Sequence, residues 1–220
     1  MLSTKKSISN NHTPHKRRRY KRNYNAQFSQ SLRTVIGRPV YKMIQQSVIV
    51  SATAGSSTLT ISPAGGTYLN VANFVNQDDF TNMATAYQVC RIKSIRVIAN
   101  RLISENQLTT IFSAGLPTIY VAYFPTVSSS TVSNAGICAM ENALVIPPFN
   151  NRASVKTFVL PNIIAPSTPA FSLTQYFSVN YLTNCKGQFS IGVLNAGSAT
   201  ASSNVYSLVF QAEFEFAVPL

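Results

Sequence analysis

Residues 204–217, Asn-Val-Tyr-Ser-Leu-Val-Phe-Gln-Ala-Glu-Phe-Glu-Phe-Ala, decide the fold. Tyr206, Leu208, Phe210, Ala212, Phe214 and Phe216 fall on one side of an extended chain, and Ser207, Gln211, Glu213 and Glu215 fall on the other. A period of two is that of an antiparallel strand with one face in a core and one outside. Phe210 and Phe214 are therefore expected inward, with Glu213 and Glu215 outward or at a rim.

The same texture extends upstream. Segments 40–51, 57–62, 88–99, 116–124, 152–160, 171–181 and 187–194 are rich in β-branched and aromatic residues, and most of the chain's 11 prolines fall near their edges. With 204–217 they make eight strands, an all-β sandwich or barrel. In 88–99 the alternation slips, because Ile92 and Ile95 differ in parity; a bulge near Lys93 and Ser94 would turn both inward. Residues 78–87 predict a short helix, with Asp78 and Asp79 as caps and Phe80, Met83, Ala84 and Tyr87 on one face. The connection 125–151 is longer than an ordinary loop, which marks it as functional or contact-forming.

Charge is sparse and lopsided. Only 11% of the 220 residues are charged, against roughly a quarter in a typical soluble domain. Residues 1–42 hold eleven Lys and Arg and no carboxylate, whereas the remainder is nearly neutral. The chain divides into a basic arm, 1–38, expected to be disordered because it has too little apolar surface to offset the entropy of ordering, and one domain, 39–220. About a third of the chain is Ser, Thr, Asn or Gln. A neutral, amide-rich and aromatic exterior suits subunit contacts better than free solution.

Several chemistries are excluded. Both histidines, His12 and His15, lie in the arm, so the domain has no imidazole for a triad, a general base or a metal site. No enzyme activity, cofactor or metal is expected. Cys90, Cys138 and Cys185 form no CxxC pair and read as free thiols in a reducing compartment. No stretch approaches the length of a membrane span, the first thirty residues lack the apolar run of a signal peptide, and the arm lacks the apolar face of an interfacial helix.

Residues 16–22, Lys-Arg-Arg-Arg-Tyr-Lys-Arg, place six cations in seven positions. Such a run neutralises phosphates by releasing counterions, without reading sequence, and Tyr20 and Tyr24 offer rings for unpaired bases. The candidate nucleic-acid contacts are Lys5, Lys6, Lys16, Arg17, Arg18, Arg19, Lys21, Arg22, Arg33 and Arg38. Lys16, Arg17, Arg18, Arg19, Lys21 and Arg22 also fit a nuclear import signal. Lys93 and Arg96, on one strand, read either as part of a positive wall or as surface salt-bridge partners.

The basic arm, the eight strands and the low surface charge together resemble the single jelly-roll capsid proteins of small icosahedral viruses. The most specific part runs from Phe80 to Val97, where a short helix is followed by Tyr87, Arg91, Ile92, Ile95 and Val97 in a Y-x-x-x-R-I-x-x-I-x-V strand. Residues 117–123 and 152–161 are similar to later strands of that family. Within it, the arginine-rich amino terminus looks most like circovirus-like capsids of small circular single-stranded DNA viruses, although the domain lacks tryptophan. The resemblance implies an eight-stranded antiparallel jelly-roll sandwich that self-assembles into a shell of about 60 subunits with T=1 geometry. It also implies packaging of a viral genome, expected to be single-stranded DNA, through the arm, with a nuclear import receptor as a further partner. The protein is then expected in the virion, and in the host nucleus during assembly. The alternatives are a cellular nucleic-acid-binding β-barrel, which would spread its cations over the barrel, and a trimeric lectin or cytokine-like jelly roll, which leaves the arm unexplained.

Overall fold

The computed structural model describes residues 38–62, 67–125, 127, 130–149, 152–160, 175–194 and 197–220. All but Arg38 belong to the unit Pro39–Leu220. Among the described residues ten strands form two antiparallel sheets: β1 (Val40–Ala52), β2 (Leu59–Ser62), β3 (Tyr68–Asn70), β4 (Tyr87–Arg101), β5 (Thr118–Phe124), β6 (Leu144–Ile146), β7 (Ser154–Val159), β8 (Phe177–Ser178), β9 (Gln188–Leu194) and β10 (Ser203–Pro219). One sheet has the order β2-β1-β10-β4-β7, with β8 also on β4, and the other has the order β3-β9-β5-β6. Setting aside the short β2 and β8 leaves eight strands that alternate between the sheets, except for the paired neighbours β5 and β6 of the smaller sheet, in the winding of a jelly roll. Among the described residues there are also three short α-helices, α1 (Asp78–Ala84), α2 (Glu105–Ile111) and α3 (Asn134–Cys138), and two 3-10 turns, Val71–Asn76 and Val179–Asn184. Among the described residues no helix is long and apolar enough to cross a membrane.

The alternation of 204–217 is realised as expected. Tyr206, Leu208, Phe210, Ala212, Phe214 and Phe216 are all buried in the main core. β10 pairs β1 from Phe216 to Ser203 and pairs β4 from Pro219 to Tyr206, so its aromatic face lies at the middle of the larger sheet. Phe189 of β9 meets Phe210 at 5.1 Å and Phe158 of β7 at 5.2 Å, which locks the two sheets face to face. Below Phe214, Phe80 of α1 and Phe74 of a 3-10 turn (Val71–Asn76) close the end of the sandwich at 5.4 and 6.1 Å.

The slip in β4 is a bulge at the expected place. Ser94 sits opposite Glu213 and Ile92 opposite Phe214, so Lys93 is the extra residue. Cys90, Ile92, Ile95, Val97 and Ala99 consequently all point inward and are buried.

Other expectations are corrected. The segment 171–181 is not one strand: within its described part only Phe177 and Ser178 pair, with Cys90 and Val89, and Val179–Asn184 turns into a 3-10 helix. Val179 and Leu182, three apart, bury more surface on a 3-10 turn than a strand at a sheet edge could. Residues 171–174 lie outside the described residues. Helix α1 stops at Ala84, and Tyr87 opens β4 instead. Its N-cap is Gln77, without a side-chain bond, and Asp78 and Asp79 occupy the first turn, where the exposed N–H groups favour negative charge. β3, β6, α2 and α3 were not expected. α2 carries a full capping box: Ser104 accepts from the Gln107 backbone N–H, and the Gln107 side chain accepts from the Ser104 backbone.

Truncating Phe214→Ala should cost about 3–5 kcal/mol, because the cavity opens among Phe74, Phe80 and Phe216, whereas Glu213→Gln should cost less than about 1 kcal/mol. Urea unfolding followed by circular dichroism separates the two, and equal losses would refute the register.

Candidate nucleic-acid interface

The two sheets differ sharply in charge. Strands β3, β5, β6 and β9 contain no Lys, Arg, Asp or Glu, so every charged strand residue lies on the larger sheet: Lys42, Arg91, Lys93, Arg96, Arg101, Lys156, Glu213 and Glu215. Most are engaged at once. Lys42 Nζ meets Asp79 of α1 at 2.8 Å, and Lys93 Nζ meets Glu213 at 3.7 Å while lying 4.8 Å over the Tyr41 ring. Lys156 Nζ donates to the Ala143 carbonyl at 3.1 Å, and Arg101 donates to that of Pro148 at 3.0 Å.

Glu215 departs from its expected exposure. It points to the outer face, as parity requires, yet only 2% of it is exposed. Arg91 Nε and Nη2 donate to its Oε2 at 2.9 and 2.7 Å, and the Tyr176 hydroxyl donates to Oε1. The guanidinium lies 4.8 Å over the Tyr176 ring, so the tyrosine roofs the pair. Burial favours the neutral guanidine, but the hydrogen bond and charge of Glu215 outweigh it and hold Arg91 above its ordinary pKa. Burial, and then the bond to Glu215, push the Tyr176 phenol up as well.

Of the candidate contacts, Arg38 is described, exposed and two residues before β1. Lys5, Lys6, Lys16, Arg17, Arg18, Arg19, Lys21, Arg22 and Arg33 lie outside the described residues, as do His12 and His15. Among the described residues no three His, Cys, Asp or Glu side chains come together as a metal site. The cysteines are free thiols; Cys90 and Cys185 are buried, Cys138 is half-buried, and burial raises Cys90 to about 12.

The long connection folds onto the outside of the smaller sheet. Ile137 of α3 packs against Ala122 and Ala143, and a side chain on Gly192 would come within 2.9 Å of it. The Asn134 amide pairs with both backbone groups of Val193, and buried Gln188 donates to the Ser130 carbonyl at 2.7 Å. A cavity of about 460 Å³ beside it is lined by neutral residues, including Thr58, Thr131, Asn134 and Ile137. The length of the connection marks it as contact-forming, but its pattern gives no sign of the helix Asn134–Cys138.

This architecture is an antiparallel jelly-roll sandwich. No protein-family profile and no curated protein matches the chain in sequence. Among solved structures, that of Cocksfoot mottle virus superposes with a TM-score of 0.53 at 12% identity, over 83% of this chain and 97% of that one. The T=1 subviral particle of a Penaeus vannamei nodavirus capsid protein deletion mutant superposes with a TM-score of 0.51 at 15% identity, over 81% and 96% of the two chains. At these identities the likeness is one of fold.

Removing the cation from the buried pair, Arg91→Ala, should cost about 3 kcal/mol, whereas Lys93→Ala should cost under about 1 kcal/mol. The Tyr176 phenol ionises at higher pH in the folded chain than in the unfolded one, so the stability it contributes is complete below about pH 10 and is lost as pH rises past that value. Tyr176→Phe should flatten the alkaline fall in urea midpoint; an unchanged fall would place the phenol outside the network.

Proposed function

We propose that the protein is the coat subunit of a small icosahedral virus, that its domain assembles into a closed shell, and that its basic arm packages the genome. The observation that carries this is the joining of a jelly-roll domain to an amino-terminal arm of ten cations without a carboxylate. The fold it shares with two virus structures supports the shell role, and the counterion physics of the arm supports the packaging role. The charge-free strands of the smaller sheet fit subunit packing, because charged groups are depleted where interfaces are buried.

The finer reading is a T=1 shell of about 60 subunits around single-stranded DNA. Lys5, Lys6, Lys16, Arg17, Arg18, Arg19, Lys21, Arg22, Arg33 and Arg38 are its phosphate contacts. A shell of that size would carry arms that directly neutralise on the order of 600 phosphates. The cluster 16–22 doubles as the signal for an import receptor, which places assembly in the nucleus. The protein acts structurally, without catalysis.

Electron microscopy of the purified full chain should show closed particles holding nuclease-protected nucleic acid, and nuclease typing identifies it as DNA or RNA. Persistent monomers would overturn the shell reading in favour of a cellular nucleic-acid-binding β-barrel. Binding to single strands should fall with salt at a log–log slope near −4 if about six arm cations contact phosphate, and replacing Arg17, Arg18 and Arg19 with Gln should flatten it by about 2. The same triple variant, fused to a fluorescent tag, should move from nucleus to cytoplasm. Unchanged localisation would remove the import role.

A further inference from the structure

The outer face of the larger sheet holds three cations of β4 in file, and β10 answers them in order. Glu215 stands opposite Arg91, Glu213 opposite Ser94 beside the bulged Lys93, and Gln211 opposite Arg96. The first two cations have carboxylates within reach; the third faces an amide. Arg96 is exposed and forms no ion pair among the described residues, whereas Lys42, Arg91 and Lys93 each have one.

The row through Arg96 is unlike its neighbours. Gln45 of β1, Gln211 of β10, Arg96 of β4 and Thr157 of β7 are consecutive cross-strand partners and share the outer face. Their four side chains stand about 4.8 Å apart from strand to strand. All can donate hydrogen bonds and none is a carboxylate. Gln211 already donates to Gln45 at 3.3 Å, which orients both amides along the row. Tyr41, 55% exposed, lies on the same face of β1, beneath the Lys93 ammonium.

We propose that Gln45, Gln211, Arg96 and Thr157 form a phosphate-binding row for the backbone of a single-stranded nucleic acid, a contact separate from the arm. Arg96 supplies the charge and a planar fork of donors that matches two phosphate oxygens. The amides and the Thr157 hydroxyl supply neutral donors on either side, so the row grips the backbone without reading bases. β1 is the strand that follows the arm in sequence, and Arg38 is two residues before its start. The inference rests on the reading of this chain as a nucleic-acid binder.

Binding of the full chain to a poly-dT oligonucleotide, measured across a salt series, tests it. Arg96→Gln should flatten the log–log slope by about 0.7, the contribution of one phosphate on a single strand, and Arg96→Lys should restore it. Lys186→Gln removes one charge outside the sheets and should leave the slope at the wild-type value. Gln211→Glu keeps Arg96 but places a carboxylate opposite it, as Glu215 stands opposite Arg91, and should flatten the slope at least as much as Arg96→Gln. Thermal melts of the variants should match wild type, because the four side chains lie outside the core. If Arg96→Gln and Gln211→Glu keep the wild-type slope while the Arg17, Arg18, Arg19 variant flattens it, the row is overturned and the arm stands. Wild-type binding that is indifferent to salt would overturn both.

Discussion

β10 holds the structure together by pairing with β1 on one side and β4 on the other along most of its length. Its inward residues are aromatic or aliphatic without interruption from Tyr206 to Phe216, so the sheet that it organises carries one continuous apolar surface. Everything that closes the sandwich rests on that surface: Phe189 of the opposite sheet on Phe210, and Phe74 and Phe80 of the helical turns on Phe214. Each buried ring contributes about 2–3 kcal/mol of transfer free energy, and the contribution requires both neighbours of β10 to be in register. A slip of one residue would exchange Phe210 and Phe214 for Gln211 and Glu215.

That dependence gives the bulge at Lys93 its importance. β4 must supply Ile92 and Ile95 to one core from positions of opposite parity, and the extra residue between them achieves it. The bulge also releases Lys93 from the ladder, onto the Tyr41 ring and towards Glu213. A packing requirement on the inner face thereby sets the spacing of cations on the outer face.

The long strands and the bulge were legible in the sequence because a period of two persists over a dozen residues and one break in it stands out. β3 and β6 were not, since three residues carry no period, and β8 was obscured because its apolar run continues into a 3-10 turn. The capping box of Ser104 and Gln107 was present to be read, but only Leu108 and Ile111 follow it on the buried side. At the charged face, parity correctly put Glu215 outside. Its burial depended on Arg91 and Tyr176, which strand register and a distant segment bring to it. The two readings of Lys93 and Arg96 were likewise undecidable without register, which gives Lys93 a carboxylate and Arg96 an amide.

The distribution of charge bears on how such a chain could associate. A domain whose strand charges all lie on one sheet, and are mostly paired there, presents little net field to a second copy. The +12 of the whole chain is concentrated in the arm instead. Arms of ten cations brought together in a closed shell would repel wherever they approach within a Debye length of about 8 Å. A polyanion relieves that repulsion, and the relief grows with every subunit added. In the proposed shell, assembly and packaging are then thermodynamically linked, because the neutral contacts between domains become strong enough only where the arms have found phosphate.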